Sequence, residues 1–235
     1  HTSNILLDED FKPYLADFAW AHACDGEPCV DFKPWECIDK AVPAMQFGQD
    51  QRGYHTIVAY LRGIDLAGKS HGYKGVPYQQ IDGAGERDCQ IRWDIMQPEV
   101  KGKRVLDVGC NLGWFVRKSL VEGAVSAEGI DNDATVIQAA EALGAGRFWV
   151  GDMNFEAPSQ YCKRADVAFC LSVLQHLDHP DAVLGNLLEI ASEIYIETPL
   201  RFITDYMASI LKDADLLGES ERGRPIYRVK VKVLA

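Results

Sequence analysis

The segment V-L-D-V-G-C-N-L-G-W-F, residues 105–115, constrains this chain more than any other. A short apolar run enters a turn holding Gly109 and Gly113 and leaves as a helical pattern, which reads as strand, glycine turn and helix. From about residue 100 onward short β-branched runs alternate with helical patterns, and that rhythm builds a parallel sheet wrapped by helices. The reading places strands at 104–109, 125–131, 148–152, 166–173 and 193–198, with helices at 113–122, 134–143, 180–190 and about 202–213. The run D-V-A-F-C-L-S-V, 166–173, is nearly all apolar, as a central strand covered on both faces should be. The tail P-I-Y-R-V-K-V-K-V, 225–233, alternates apolar and basic residues and is expected as an antiparallel strand at or near a sheet edge.

The glycine turn is D-x-G-x-x-x-G, not the G-x-G-x-x-G of dinucleotide sites. An acid two residues before the first glycine repels a pyrophosphate but suits a ligand that carries an ammonium. The next strand ends in G-I-D-N-D, 129–133, where Asp131, with Asn132 beside it, can accept hydrogen bonds from two ribose hydroxyls. The third ends in V-G-D-M, 150–153: after Gly151, Asp152 can accept from an adenine amine and Met153 can cover the ring. The fourth ends in L-S-V-L-Q-H-L, 171–177, from Leu171 to the candidate base His176. Taken singly, each piece has an ordinary explanation. The glycine turn can be a plain strand–turn–helix, Asp131 a helix cap and Asp152 a turn residue. Their ordered arrival at the ends of successive strands is the specific signal.

Together these motifs resemble the class I S-adenosylmethionine (SAM) dependent methyltransferases across about residues 100–235. The resemblance implies a Rossmann-like α/β fold with a seven-stranded, mostly parallel sheet whose last strand is antiparallel. It implies SAM as cofactor and S-adenosylhomocysteine as product. The cofactor site would be built on Asp107, Gly109, Cys110, Asn111 and Gly113, then Asp131 and Asn132, then Gly151, Asp152 and Met153, with Leu171 at the fourth strand.

Two further segments narrow the expectation. P-Y-Q-Q-I, 77–81, and G-E-R-D-C-Q-I-R-W-D-I-M, 85–96, resemble the methyltransferase domain of bifunctional methyltransferase–kinases that terminate bacterial O-antigen chains; the similarity continues to G-R-P-I-Y-R-V, 223–229. It implies that Tyr78 and Gln79 close over the methionine end of SAM and that Arg92 pairs with its carboxylate. The alternatives are a core role for Tyr78 and an ordinary ion pair of Arg92 with Asp107 or Asp94. Residues 1–20 resemble a kinase catalytic loop and metal-binding turn, with Asn4 and Asp17 at the matching places and Asp17-Phe18-Ala19 for the usual final glycine. No glycine-rich loop or strand lysine precedes them, so residues 1–75 are expected to be an irregular N-terminal extension, a truncated kinase-like lobe or a plain hairpin. Residues 76–235 are expected to be the methyltransferase domain.

Composition sets the limits. The net charge is −11, from 24 basic against 35 acidic residues, which argues against a long phosphate backbone and hence against nucleic acid as partner. Seven cysteines without a C-x-x-C pair signal neither a zinc site nor any other metal, and they read as free thiols in a reducing cytoplasm. Neither a bilayer-length apolar run nor a signal-peptide pattern is visible. Methyl transfer needs alignment above all, so the catalytic candidates are few: His176, a base or merely a packed histidine, and Glu197, facing the acceptor or capping a helix. Arg201 and Tyr206 are candidates for contacting an anionic acceptor. The acceptor is read as a hydroxyl or phosphate of a saccharide or related small molecule. A tRNA base, a non-catalytic SAM-binding module and a homo-oligomeric state remain open.

Overall fold

The computed structural model of the protein describes residues 5–7, 13–15, 78–79 and 86–231. The chain divides into two units, His1–Glu86 with Ala142–Gly144, and Arg87–Glu141 with Ala145–Ala235. In the first, β1 (Ile5–Leu7) pairs antiparallel with β2 (Pro13–Leu15), with Leu6 opposite Tyr14. Asn4 and Asp17, which carry the kinase comparison, lie outside the described residues.

The second unit opens with α1 (Cys89–Met96), capped by the Asp88 carboxylate accepting from the Ile91 amide and stopped at Gln97, which turns left-handed. Then follow β3 (Arg104–Val108), α2 (Trp114–Val121), β4 (Ser126–Asp131), α3 (Ala134–Ala142) and β5 (Arg147–Val150). The chain next forms β6 (Ala165–Leu171), α4 (Pro180–Ile190), β7 (Ala191–Glu197), α5 (Asp205–Leu211), β8 (Asp215–Glu219) and β9 (Pro225–Lys230). The sheet order is β5-β4-β3-β6-β7-β9-β8. β3 to β7 are mutually parallel, while β9 runs antiparallel to both β7 and β8. This is the expected Rossmann-like sheet, with seven strands and the antiparallel tail strand one place in from the edge.

Alternation along the central strands sorts the core into two layers. Leu106, Val108, Ala168, Cys170, Ile194 and Ile196 pack on one face with α4 and α5. Val105, Val167, Phe169 and Tyr195 pack on the other with Trp93 of α1 and Phe115 of α2. The second layer is strongly aromatic: Phe169 lies 5.5 Å from Phe115 and 5.6 Å from Tyr195, between ring centroids. Asp107 and Glu197 occupy odd positions in β3 and β7, so they share the face of this aromatic layer. The period of two that buries Phe169 therefore also buries two carboxylates.

Several boundaries differ from expectation for local reasons. The apolar run that begins at 166 leaves the sheet after Leu171, because Ser172 takes a left-handed conformation at φ 61°. Residues 200–202 form a 3-10 turn, and α5 starts only after Thr204, whose hydroxyl accepts from the Met207 amide and donates to Asp181 at 2.6 Å. β8 was not foreseen. Its outer face is exposed and a bulge between Leu216 and Gly218 breaks its pairing, so it carries no clean alternation.

Candidate cofactor and acceptor site

The sheet order places the topological switch point between β3 and β6, where the chain leaves one side of β3 for the other. Ligands of open α/β sheets bind in the crevice at that point, outside the carboxyl ends of the strands. The backbone around the crevice is unusual. Gly109 and Gly113 both sit at φ 72°, and two non-glycine residues, Asn111 and Ser172, are also left-handed. The glycines serve packing as well as backbone freedom. A Cβ on Gly109 would lie 2.2 Å from Val173 Cγ2, and one on Gly113 would lie 2.4 Å from the Phe148 ring. Gly113 thus receives Phe148 in the core instead of merely keeping the helix start clear.

The cofactor half consists of the ends of β3, β4 and β5. Asp107 is buried, and burial pushes its carboxyl well above the usual carboxylate range, with the Arg92 guanidinium pulling the other way. Its Oδ2 and the Oδ1 of Asn111 are buried acceptors with no hydrogen-bond partner among the described residues. Two orphaned acceptor oxygens after one strand, in a site that lacks a donor, match a cationic N–H group such as the SAM ammonium. The Asp131 carboxylate accepts from the Asn111 and Asp133 amides at 2.9 and 3.1 Å, and burial raises its pKa despite those bonds. Each oxygen keeps a lone pair for a ribose hydroxyl. Asn132 beside it is exposed. Gly151 donates to the Asp131 carbonyl and lies under the Tyr161 ring, where a Cβ would come within 2.6 Å. Asp152 Oδ1 accepts from the Asn154 amide at 2.9 Å, while Met153 and Leu171 are buried in the two core layers. Cys110 turns its thiol into the core, where burial raises its pKa strongly, so only its backbone can face a ligand.

The other half of the candidate site, at the ends of β6, β7 and β9, is built on arginines. Glu197 is fully buried; Arg87 Nη2 reaches it at 2.5 Å, Arg92 Nη1 at 3.3 Å and the Ser220 hydroxyl at 2.6 Å. Burial alone would raise the Glu197 pKa, but Arg87 and then Arg92 outweigh it and hold the carboxylate below its ordinary value. A buried, doubly ion-paired carboxylate is poorly placed to take a proton from an acceptor, which weighs against a catalytic Glu197. Arg92, expected on the SAM carboxylate, pairs with Glu197, and its guanidinium lies 5.1 Å from the Phe115 ring centre. Arg87 also ion-pairs with Glu221 and donates to Ser172 Oγ at 3.1 Å, and Arg224 donates to the same oxygen at 2.8 Å. His176 is exposed on the 3-10 turn after β6. Leu200 and Phe202 are exposed past β7, with the Arg201 guanidinium 5.0 Å from the Phe202 ring centre. Tyr206 is exposed on α5. Tyr78 and Gln79 belong to the other unit.

Sequence reasoning missed Arg87, Ser172, Ser220 and Arg224. Arg87 and Arg224 stood inside quoted motifs, but nothing local said that they converge. Among the described residues no cluster of three or more His, Cys, Asp or Glu could hold a metal ion, and no helix is long and apolar enough to cross a membrane.

Comparison with known proteins agrees with this fold. A family model described as a methyltransferase domain matches residues 87–227. The chain belongs to this methyltransferase family, and the methyl donor of its class I domain is SAM. Among curated proteins it is 33% identical over 128 residues to the tRNA U34 carboxymethyltransferase of Helicobacter acinonychis (strain Sheeba), covering 48% of this chain and 47% of that protein. It is 31% identical over 118 residues to the enzyme of the same name from Nautilia profundicola, covering 46% of this chain and 39% of that protein. The chain thus spans about half the length or less of these relatives. Among solved structures, the bifunctional kinase-methyltransferase WbdD superposes with a TM-score of 0.53 at 23% identity, over 71% of this chain and 45% of that one; this likeness concerns the fold.

Proposed function

We propose that this chain transfers the methyl group of SAM to an oxygen of a compact anionic acceptor, a phosphate or hydroxyl of a saccharide or related small molecule. The observation that supports it is the division of charge across the strand ends. The cofactor half presents Asp107, Asp131 and Asp152 to a cationic donor, whereas the acceptor half gathers Arg87, Arg92 and Arg224 around Ser172 and two carboxylates, Glu197 and Glu221. A local guanidinium cluster on a chain of net charge −11 suits one phosphate better than a polyanion.

Bound SAM supplies an electrophilic methyl group on a sulfonium. Asp107 and Asn111 would hold its ammonium, Asp131 and Asn132 its ribose, and Asp152, Gly151 and Met153 its adenine. Arg92 would act at a distance, biasing Asp107 toward the charged form that an ammonium requires. The acceptor oxygen would take the methyl carbon as the carbon–sulfur bond breaks. If that oxygen is a hydroxyl, His176 would take its proton; a phosphate oxygen needs no base.

A second reading, methyl or carboxymethyl transfer to a tRNA wobble uridine, is favoured by the names of the curated relatives. The exposed Arg201–Phe202 pair would offer a base a stacking surface. Radiolabelled SAM with purified protein separates the two. Label in phosphorylated saccharides and none in bulk tRNA supports the first reading; label in tRNA alone overturns it.

A further inference from the structure

Ser172 occupies an unusual place. It is the first residue past β6, it is 6% exposed, and it holds a left-handed backbone at φ 61°, where a side chain is strained. That conformation is tied on both sides. Its amide donates to the Glu197 carbonyl at 2.8 Å, and its carbonyl accepts from Gln175 Nε2 at 2.8 Å. Its neighbour Val173 packs against Gly109, so Ser172 stands beside the glycine turn of the cofactor half. It also belongs to the guanidinium cluster of the acceptor half.

A serine hydroxyl has two acceptor positions and one proton to donate. In Ser172 both acceptor positions are used, by Arg87 Nη1 at 3.1 Å and Arg224 Nη1 at 2.8 Å. The proton must point along the remaining tetrahedral direction, and no described residue accepts it. Two charged donors on one oxygen also polarise its O–H bond and make it a stronger donor. An alanine would fill the same space. A hydroxyl held by two arginines with its own donor unused is a group awaiting an acceptor atom.

We propose that Ser172 is an acceptor-binding residue: its hydroxyl, oriented by Arg87 and Arg224, donates a hydrogen bond to a phosphate-type oxyanion of the methyl acceptor at the β6 end of the crevice. The proposal rests on the reading of this half as the site of an anionic acceptor. It also gives the strained turn a function, because in this conformation Ser172 is tied to both β7 and Gln175.

The test uses inorganic phosphate as the probe, titrated into protein saturated with S-adenosylhomocysteine at constant ionic strength and followed by calorimetry and phosphorus NMR. The variant is Ser172→Gly, since glycine adopts the turn without strain. Wild type should bind phosphate, and the variant should bind it about tenfold more weakly, the loss of one hydrogen bond to a charged group. Affinity for S-adenosylhomocysteine without phosphate, and the thermal midpoint, should stay close to wild type. Equal phosphate affinity in the two proteins would overturn the role of Ser172 and leave the anionic reading standing. No binding to wild type would overturn both. A variant that loses S-adenosylhomocysteine would also overturn the proposal, because Ser172 would then serve the cofactor half.

Discussion

The two halves of the crevice treat buried charge in opposite ways. At the end of β3, Asp107 and Asn111 bury oxygens that nothing in the described chain satisfies. At the end of β7, Glu197 is just as buried, yet two guanidinium groups and a serine hydroxyl surround it. A carboxylate without a partner shifts toward its neutral form, while one with two cationic partners stays ionised. The difference separates binding from scaffolding. A polar group left unmatched inside a fold is costly unless a ligand completes it, whereas a matched one holds the fold itself. By that criterion Glu197 serves the fold, and Asp107 is the carboxylate to test against a ligand.

The largest effect expected from this contrast is at Glu197. Glu197→Gln removes the negative partner of two buried guanidinium groups and should destabilise the domain by about 3–5 kcal/mol. Urea unfolding followed by tryptophan fluorescence measures it. A loss of activity with full stability would instead return Glu197 to the catalytic list. At Asp107 the signs should be reversed. Asp107→Asn removes an unfavourably buried acid, so the free protein should keep or gain stability, while SAM binding weakens by about 3 kcal/mol, roughly a hundredfold. Equal SAM affinity in variant and wild type, by calorimetry, would end the assignment of Asp107 to the ammonium. Asp131→Asn is expected to be milder. It keeps one oxygen for the turn amides but loses charge toward the ribose, for about 1.5 kcal/mol, or a little over tenfold in SAM affinity.

The sequence disclosed these two halves unequally. The elements of the candidate cofactor half were legible because a glycine turn, an acid and a helix start are local, and the acids at the ends of β3, β4 and β5 arrive in chain order. The strands beneath them were legible because alternation of apolar residues reports burial directly. The acceptor half was not legible, because its partners are remote in sequence: Arg87 and Glu197 are 110 positions apart, and Arg92 and Glu197 are 105 apart. No spacing rule connects residues brought together only by the closing of a seven-stranded sheet. Glu197 therefore looked like a free acid at a strand end, and Arg92 like a ligand's counter-ion. Ser172 was hidden differently. Its left-handed turn interrupts an apolar run that by composition alone continues as strand. β8 escaped because its bulge and exposed face erase the period of two.

The smallest effect concerns protons, and it tests the contrast most sharply because the two carboxylates must respond to pH in opposite senses. Asp107 has a raised folded pKa, so its contribution to stability is full below the ordinary carboxylate range and is lost as pH rises through the raised value. Glu197 has a lowered folded pKa, so its contribution is full above the ordinary range and is lost as pH falls through the lowered value. On the proposed placement, SAM acts only on the first. An ammonium beside Asp107 stabilises its anion and returns its pKa toward normal, so binding should release protons, up to one per site from this residue. The release should appear between the ordinary carboxylate range and the raised value, and fade above it. Calorimetric titration with SAM in two buffers of different ionisation enthalpy reads the number directly. Release in wild type that disappears in Asp107→Asn ties the proton to the orphaned carboxyl. Unchanged release in that variant would move the linkage to Asp131, whose pKa burial also raises, and the ammonium would then have to be placed nearer β4.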